Sequence, residues 1–308
     1  MRGRARAIAS AGLRRMLELL PRNRFGDTVF SAVIYAAHHR RLPRWRRPVT
    51  FNDHLFAIKR RGELDDPLRR SLTDKHLVKA HIDRVLGPGY SLETLALLTS
   101  ASEIRAFQPR EVPCIAKPTH LSGHVILIED RDQPLDRERM VGWLDLDHYE
   151  WSREANYKGL RPAVMVEAYF VDAAARGPGS GVPQDYKVFC IDGRAKFVQV
   201  IRDRFGATTR NLYTRDWSKL PFGISYPAAG LDPRPECLAE MFELAERLAA
   251  PFRFLRVDFL VADGRLKIGE LTYLPENAIG IFMPRDFDRR LGRLFAEPGL
   301  EIEAVLEA

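Results

Sequence analysis

Residues 254–272 read Phe254-Leu255-Arg256-Val257-Asp258-Phe259-Leu260-Val261-Ala262-Asp263-Gly264-Arg265-Leu266-Lys267-Ile268-Gly269-Glu270-Leu271-Thr272. Two β-prone runs around an Asp-Gly pair are the signature of a hairpin. Residues two apart in a strand share a face, so Arg256 lies beside Asp258 and Glu270 beside Thr272, while Leu255, Val257 and Leu271 face the other way. Whether the two carboxylates meet depends on the turn. A two-residue Asp263-Gly264 turn pairs Ala262 with Arg265 and sends Asp258 and Glu270 to opposite faces. A three-residue Ala262-Asp263-Gly264 loop brings them to the same face, and Gly264 suits its left-handed, bulged position. The second geometry is the expectation.

Two acidic groups on one face repel unless a cation lies between them, and carboxylate oxygens suit Mg²⁺, which takes waters and substrate phosphates as its other ligands. A surface hairpin with an Arg256/Glu270 cross-strand pair is the competing reading. Upstream, Pro113-Cys114-Ile115-Ala116-Lys117-Pro118 runs into Thr119-His120-Leu121-Ser122-Gly123-His124. A strand-end lysine followed by small and hydroxyl residues can set an ammonium against a polyphosphate while loop amides cap other oxygens. A solvated lysine is the alternative. Asp74-Lys75 opens a helical segment about forty residues before Lys117.

The same reasoning extends along the chain. Residues 1–50 read as helical and basic, and a helical stretch from Asn52 to Val85 closes at Gly87-Pro88-Gly89. Val112 to Lys117 and His124 to Glu129 form a hairpin with a six-residue loop, and Val164 to Tyr169 is a further strand. Lys187 to Cys190 and Ala195 to Val200 form a hairpin around Asp192-Gly193, and Pro235 to Leu248 has helical periodicity. The mixture predicts an α+β fold with antiparallel sheets.

A chain of 308 residues with 45% hydrophobic content can bury a sizeable core, in two or three lobes. Its three scattered cysteines support neither a disulfide framework nor a zinc site, which points to a reducing cytoplasm. The net charge of +7 is local: twelve arginines against Glu18 and Asp27 give the first 50 residues +10, leaving −3 for the rest. No nucleic-acid-reading motif accompanies it, so nucleic acid is not an expected partner. No apolar run reaches the roughly 18 residues of a membrane span. Ile8, Leu13, Met16, Leu17 and Leu20 at helical spacing, with Arg40, Arg41, Arg44, Arg46 and Arg47 behind them, fit peripheral contact with an anionic membrane or packing on the chain's own core.

Taken in order, Asp74-Lys75, Cys114 to Pro118 with its loop, Val164 to Tyr169, Asp185-Tyr186-Lys187 and the last hairpin resemble an ATP-grasp enzyme. More narrowly, Phe51-Asn52, His120-Leu121-Ser122-Gly123, Asp185-Tyr186-Lys187-Val188-Phe189-Cys190, Asp216-Trp217 and Gly269-Glu270-Leu271-Thr272 resemble the TupA-like ATP-grasp family, associated with teichuronopeptide and other cell-surface polysaccharide biosynthesis. The resemblance covers roughly residues 50 to 295. It implies two α+β lobes around a nucleotide cleft: a region 51–110 leading in, a small lobe 111–172 and a large lobe 173–308 with the metal site, after the basic segment 1–50.

In that frame ATP has Lys75 and Lys117 on its phosphates, with His120, Ser122 and Gly123 in the phosphate loop. The strand of Met165, Val166 and Glu167 lines the adenine, and Asp185 or Lys187 stands near the ribose or phosphates. Asp258 and Glu270 hold Mg²⁺. Two positions depart from the pattern. Thr272 stands where such enzymes commonly carry Asn, with Asn277 as a substitute ligand, and the phosphate loop is poor in glycine. The implied activity joins a carboxylate to an amine through an acyl phosphate, with polysaccharide-linked substrates among the candidates. Arg256 would stabilise the oxyanion, and Arg202, Arg204 and Arg210 would either receive an acidic acceptor or form a solvated charged loop. A kinase acting on a sugar hydroxyl and a non-catalytic membrane-surface scaffold are the rival readings.

Overall fold

The computed structural model describes residues 16–17, 19–170, 182–202 and 207–307. Two antiparallel sheets organise them. The smaller has β1 (Thr94–Leu98), β2 (Cys114–Pro118), β3 (Ile126–Ile128) and β4 (Val164–Ala168) in the order β1-β4-β2-β3. The larger has β5 (Gln184–Ile191), β6 (Arg194–Arg202), β7 (Thr209–Tyr213), β9 (Phe254–Ala262) and β10 (Arg265–Thr272) in the order β10-β9-β5-β6-β7. A short third pair joins β8 (Gly223–Ile224), between β7 and β9 in sequence, to β11 (Phe282–Met283), after β10. The α+β class with antiparallel sheets is as expected, and β1 joins the small sheet from ahead of residue 111.

Alternation decides which face of each sheet is buried in apolar core. In the small sheet Leu98, Cys114, Ala116, Val164 and Val166 pack with Ile104, Met140 and Trp143. In the large sheet Tyr186, Val188, Cys190, Leu255, Val257 and Phe259 share a core with the amphipathic helix Leu238–Ala249. Both sheets therefore turn their polar alternates the other way.

The predicted helical stretch 52–85 is three helices, Phe51–Arg60, Pro67–Thr73 and Leu77–Leu86. Gly62 in the left-handed region ends the first segment, and Asp66 caps the second ahead of Pro67 at its first turn. Asp74 accepts from the amides of His76 and Leu77 at 2.8 and 3.0 Å and so starts the third. Phe51 packs edge-on against Phe254, Phe282 and Phe295, fixing the first helix to one end of the large sheet.

The basic N-terminal region forms the helix Arg24–His39, capped by Asn23. Arg41 is not a free surface charge: it donates to Asp53 (2.8 Å), Tyr35 Oη (2.6 Å) and Thr50 (2.8 Å). Ile8 and Leu13 lie outside the described residues, as does most of the linker 176–183. Among the described residues no helix is long and apolar enough to cross a membrane.

The last hairpin corrects one expectation and recovers its consequence. Ala262 pairs with Arg265, so the turn has two residues, with Asp263 at φ 52 and Gly264 at φ 69. Two consecutive left-handed residues match the right-handed strand twist better than the three-residue loop does. The register then slips by one between Ile268 and Glu270, with Gly269 as the extra residue, and Glu270 pairs with Asp258. A bulge inside the strand, not a longer turn, puts the two carboxylates on one face.

Candidate active site

Cross-strand pairing lays a polar row over the large sheet. Glu270 pairs with Asp258, Asp258 with Lys187, and Lys187 with Gln199. Arg256 grips Asp258 through Nε to Oδ1 at 2.6 Å and Nη2 to Oδ2 at 2.7 Å, and also donates to Thr272 Oγ1 at 3.1 Å. Lys187 Nζ reaches Asp258 Oδ2 at 2.5 Å and Asp185 Oδ1 at 3.1 Å. Thr272 donates to Glu270 Oε1 at 2.8 Å, with Arg256 Nη2 3.7 Å from the same oxygen. The structure thus brings Asp185, Lys187, Arg256, Asp258, Glu270 and Thr272 into one cluster.

The polar face of the small sheet supplies further cations. Lys117 pairs with Glu167 Oε2, and Lys79 with Glu167 Oε1 at 2.6 Å, both across a carboxylate only 3% exposed. Lys79 is held in place by Leu92 O (2.7 Å) and Thr94 Oγ1 (2.6 Å). Lys75 donates its backbone N–H to Thr119 O at 3.1 Å and its ammonium to Leu121 O, which ties the loop after β2 to the helix Leu77–Leu86.

Lys75, tied to the loop after β2, and Glu270 of the large sheet lie close enough to act on each other's charge. Burial lowers the Lys75 pKa despite the opposing pull of Glu270 and in concert with Lys117. Burial would raise the Glu270 pKa, yet Lys75, Arg256 and Lys187 hold it down at about 2. Charges from both sheets therefore act on the same carboxylate. The sheets are also joined directly, because Ile268 N donates to Tyr90 O at 2.8 Å just ahead of β1.

Several expected residues stand elsewhere. His120 is buried and its Nε2 bonds Trp143 O at 3.0 Å, while burial lowers its pKa, so it anchors the loop rather than offering a charge to a phosphate. Ser122 and Gly123 remain exposed at the loop tip, with Gly123 at φ 80. Val166 points into the apolar core, whereas Met165 and Glu167 alternate onto the cleft face. Glu167 is occupied as the counterion of Lys117 and Lys79. Asn277 has its oxygen taken by Lys59 (2.6 Å) and its amide given to Ser152 O (2.9 Å). Those bonds tie Asn277 to Lys59 and Ser152 rather than to Asp258 or Glu270. Arg202 pairs with Asp232 and Arg210 with Glu276, and Arg204 lies outside the described residues.

Sequence reasoning missed Lys79, Gln199 and Glu276. Lys79 was within reach of it, since it follows Lys75 by four residues in a stretch that reads as helical, although the helix itself starts at Leu77. Gln199 and Glu276 carry no motif: Gln199 becomes visible only through strand pairing, and Glu276 only through its ion pair with Arg210.

The donor set fits a hard cation only in company with a polyphosphate. Among the described residues no cluster of three or more His, Cys, Asp or Glu side chains forms a self-sufficient metal site. Asp258 and Glu270 supply two carboxylates, and Mg²⁺ typically draws its remaining ligands from water and substrate phosphates. Lys75, Lys187 and Arg256 concentrate positive charge around that pair, and Lys117 lies close to Lys75, as a triphosphate requires.

No curated protein matches the chain. Solved structures that are similar include the ATP-grasp ligase PsnB with minimal precursor, Mg and ADP, at 15% identity and TM-score 0.39 over 71% of this chain and 58% of that one. D-alanine–D-alanine ligase from Bacillus anthracis complexed with ATP is similar at 18% identity and TM-score 0.36, over 66% and 55%. L-amino acid ligase from Bacillus licheniformis is similar at 12% identity and TM-score 0.40, over 74% and 48%. The chain thus spans about half the length of these structures. A family model for TupA-like ATP-grasp proteins matches residues 55–296, most of the chain. The protein belongs to the TupA-like ATP-grasp family.

Proposed function

We propose that the protein is an ATP-dependent ligase that phosphorylates a carboxylate and transfers the acyl group to an amine, releasing ADP and phosphate. The observation that carries this reading is the convergence of Lys75, Lys187 and Arg256 on the Asp258/Glu270 pair, with Lys117 close to Lys75. A free carboxylate resists amine attack because oxide would have to leave, and phosphorylation supplies a workable leaving group. Phosphoryl transfer is helped mainly by positioning and charge neutralisation. Asp258 and Glu270 would hold Mg²⁺ with Thr272 supporting Glu270, and the ion would neutralise phosphate charge.

Lys75 and Lys117, steadied by Leu121 O and Glu167, orient the triphosphate from the small-sheet side. Asp185 keeps Lys187 beside Asp258, within reach of a phosphate oxygen. Arg256, locked by Asp258 and Thr272, is placed to stabilise the oxyanion formed when the amine attacks. Losing such a donor costs on the order of 3 kcal/mol, about a hundredfold in rate. For the carboxylate we propose a uronic-acid-type group on a cell-surface polysaccharide or its precursor, on the strength of the family resemblance. The purified protein should release ADP and phosphate only when a carboxylate and an amine are both present, and ¹⁸O from the carboxylate should appear in the phosphate. Phosphorylated product accumulating without amine would replace the ligase with a kinase.

A further inference from the structure

A cavity of about 60 Å³ lies where the helix Arg24–His39 meets the helix Phe51–Arg60 and the segment 149–158. One water needs roughly 10–15 Å³ of such space, so the cavity has room for a phosphate group. Arg24, Lys59, Arg60, Arg153 and Lys158 line it. The carboxylates among its walls are Asp27 and Asp65, and five cations against two anions leave an excess of three positive charges. None of these residues belongs to the Asp258/Glu270 cluster.

The charges around the cavity are not balanced from within. Asp27 is committed, accepting from Arg153 Nη1 at 3.1 Å and from Tyr149 Oη at 2.8 Å. Among the described residues Lys59 gives two of its three protons away, to Ser152 O (2.7 Å) and Asn277 Oδ1 (2.6 Å). Burial brings its pKa down to about 8, although Glu154 and Asp27 pull it upward. Arg24, Arg60 and Lys158 have no ion-pair partner among the described residues. Three polar atoms of the lining side chains are buried with no hydrogen-bond partner there: Ser31 Oγ, Arg60 Nε and Arg153 Nε. Ser31 is 7% exposed and Arg153 2%. Buried polar groups left unpaired cost free energy, and walls made of them suit a ligand that pairs them.

The donors come from three elements and so approach from several directions. A carboxylate offers two oxygens in one plane and a single charge. A phosphate monoester offers three oxygens and close to two negative charges, which answers both the spread of donors and the excess of cations. We propose that this cavity binds a phosphate group, held by Lys59, Arg60 and Arg153, with Ser31 Oγ donating from the N-terminal helix. Arg24 and Lys158 are exposed and stand at the rim, where they meet solvent or whatever carries the phosphate. A bound phosphate bridges the basic N-terminal helix to the body of the protein. This site is independent of the ligase reading.

Calorimetric titration of inorganic phosphate into the full chain tests it, with the magnesium complex of non-hydrolysable AMPPNP present to keep the probe off the nucleotide site. Phosphate should bind saturably, and chloride at matched ionic strength should give no signal. Arg60→Gln and Lys158→Gln should each weaken binding by about tenfold, the loss of one charge-assisted hydrogen bond. Ser31→Ala should also weaken it, yet leave the thermal midpoint of phosphate-free protein unchanged or raised, because no internal bond is removed. Displacement of phosphate by phosphatidylcholine vesicles containing phosphatidic acid, and not by pure phosphatidylcholine, would support the site and make its source a lipid headgroup. Phosphate retained against both vesicles would support it with a soluble phosphate as the source. Absence of saturable binding by folded parent protein would overturn the proposal, as would equal affinity in parent, Arg60→Gln and Lys158→Gln. Binding lost in Lys117→Gln but kept in Arg60→Gln would move the anion to the nucleotide site and overturn it too.

Discussion

Glu270 lies directly opposite Asp258 across the last hairpin because Gly269 is bulged out of the ladder. Had Gly269 stayed in the ladder, the two-residue turn would have paired it with Asp258 and turned Glu270 to the other face. Deleting Gly269 makes Glu270 follow Ile268 directly, which keeps it opposite Asp258 in an unbulged strand. The deletion variant should therefore retain MgATP affinity within about tenfold, roughly 1.4 kcal/mol. Isothermal titration would show it, and a loss as large as that of Glu270→Gln would mean that the bulge's local twist, not register alone, positions the pair.

Glu167 holds Lys117 and Lys79 together in a shielded site, so Glu167→Gln leaves two ammoniums with no shared counterion. Breaking a buried pair in this way typically costs about 3 to 5 kcal/mol. Urea denaturation should report a loss of that order. Added MgATP should recover more stability in the variant than in the parent, because phosphates replace the missing charge; an equal gain in both would separate Lys117 from the nucleotide.

His54 stacks on Phe295 with centroids 4.6 Å apart, and burial together with Arg253 pushes its pKa down to about 4. Its unfolded value is near 6.5, so below that pH the unfolded chain binds the proton first. Stability contributed by the neutral ring is complete above 6.5 and is lost as pH falls toward 4. By pH 5 the loss should be about 2 kcal/mol for this histidine. His39, also held at about 4, adds in the same direction. Unfolding curves between pH 7 and 5 should be flatter for His54→Phe; identical slopes would remove His54 from the account.

Gly292 is where the helix Asp286–Ala296 meets the segment ahead of Phe51. A Cβ there would sit 2.1 Å from Val49 O, against backbone that cannot swing aside. Gly292→Ala should destabilise by about 1 to 3 kcal/mol or more. Gly142→Ala, with nothing within 4 Å of the added carbon, serves as the control and should be tolerated. Equal midpoints for the two variants would show that the contact can relax.

The hairpins were legible because their turn residues and alternation are local, as Asp192-Gly193 and Asp263-Gly264 illustrate. The polar and apolar faces of β9 and β10 followed from the same alternation, which is why Arg256, Asp258, Glu270 and Thr272 were found together. What was not legible was tertiary. The turn that Asp263-Gly264 chooses depends on strand twist, and the bulge that compensates sits five residues away at Gly269. Val166 and Glu167 are sequence neighbours with opposite fates, one in the core and one on the cleft, and only the pairing with β2 decides which. His120 looked like a loop donor, yet its ring is drawn under the loop by Trp143 O. β1 and β7 lacked turn signals strong enough to mark them, and Gln199 and Glu276 acquire meaning only from strands far away in sequence.

The central claim is that Asp258 and Glu270 act together through a divalent cation on the nucleotide's phosphates. Calorimetric titration of ATP into the protein, with and without Mg²⁺, tests it in parent, Asp258→Asn and Glu270→Gln proteins of matched thermal midpoint. The account predicts tight binding by the parent only when Mg²⁺ is present, and loss of that Mg²⁺ enhancement in both variants. ATP binding with the same Mg²⁺ dependence in all three proteins would contradict it.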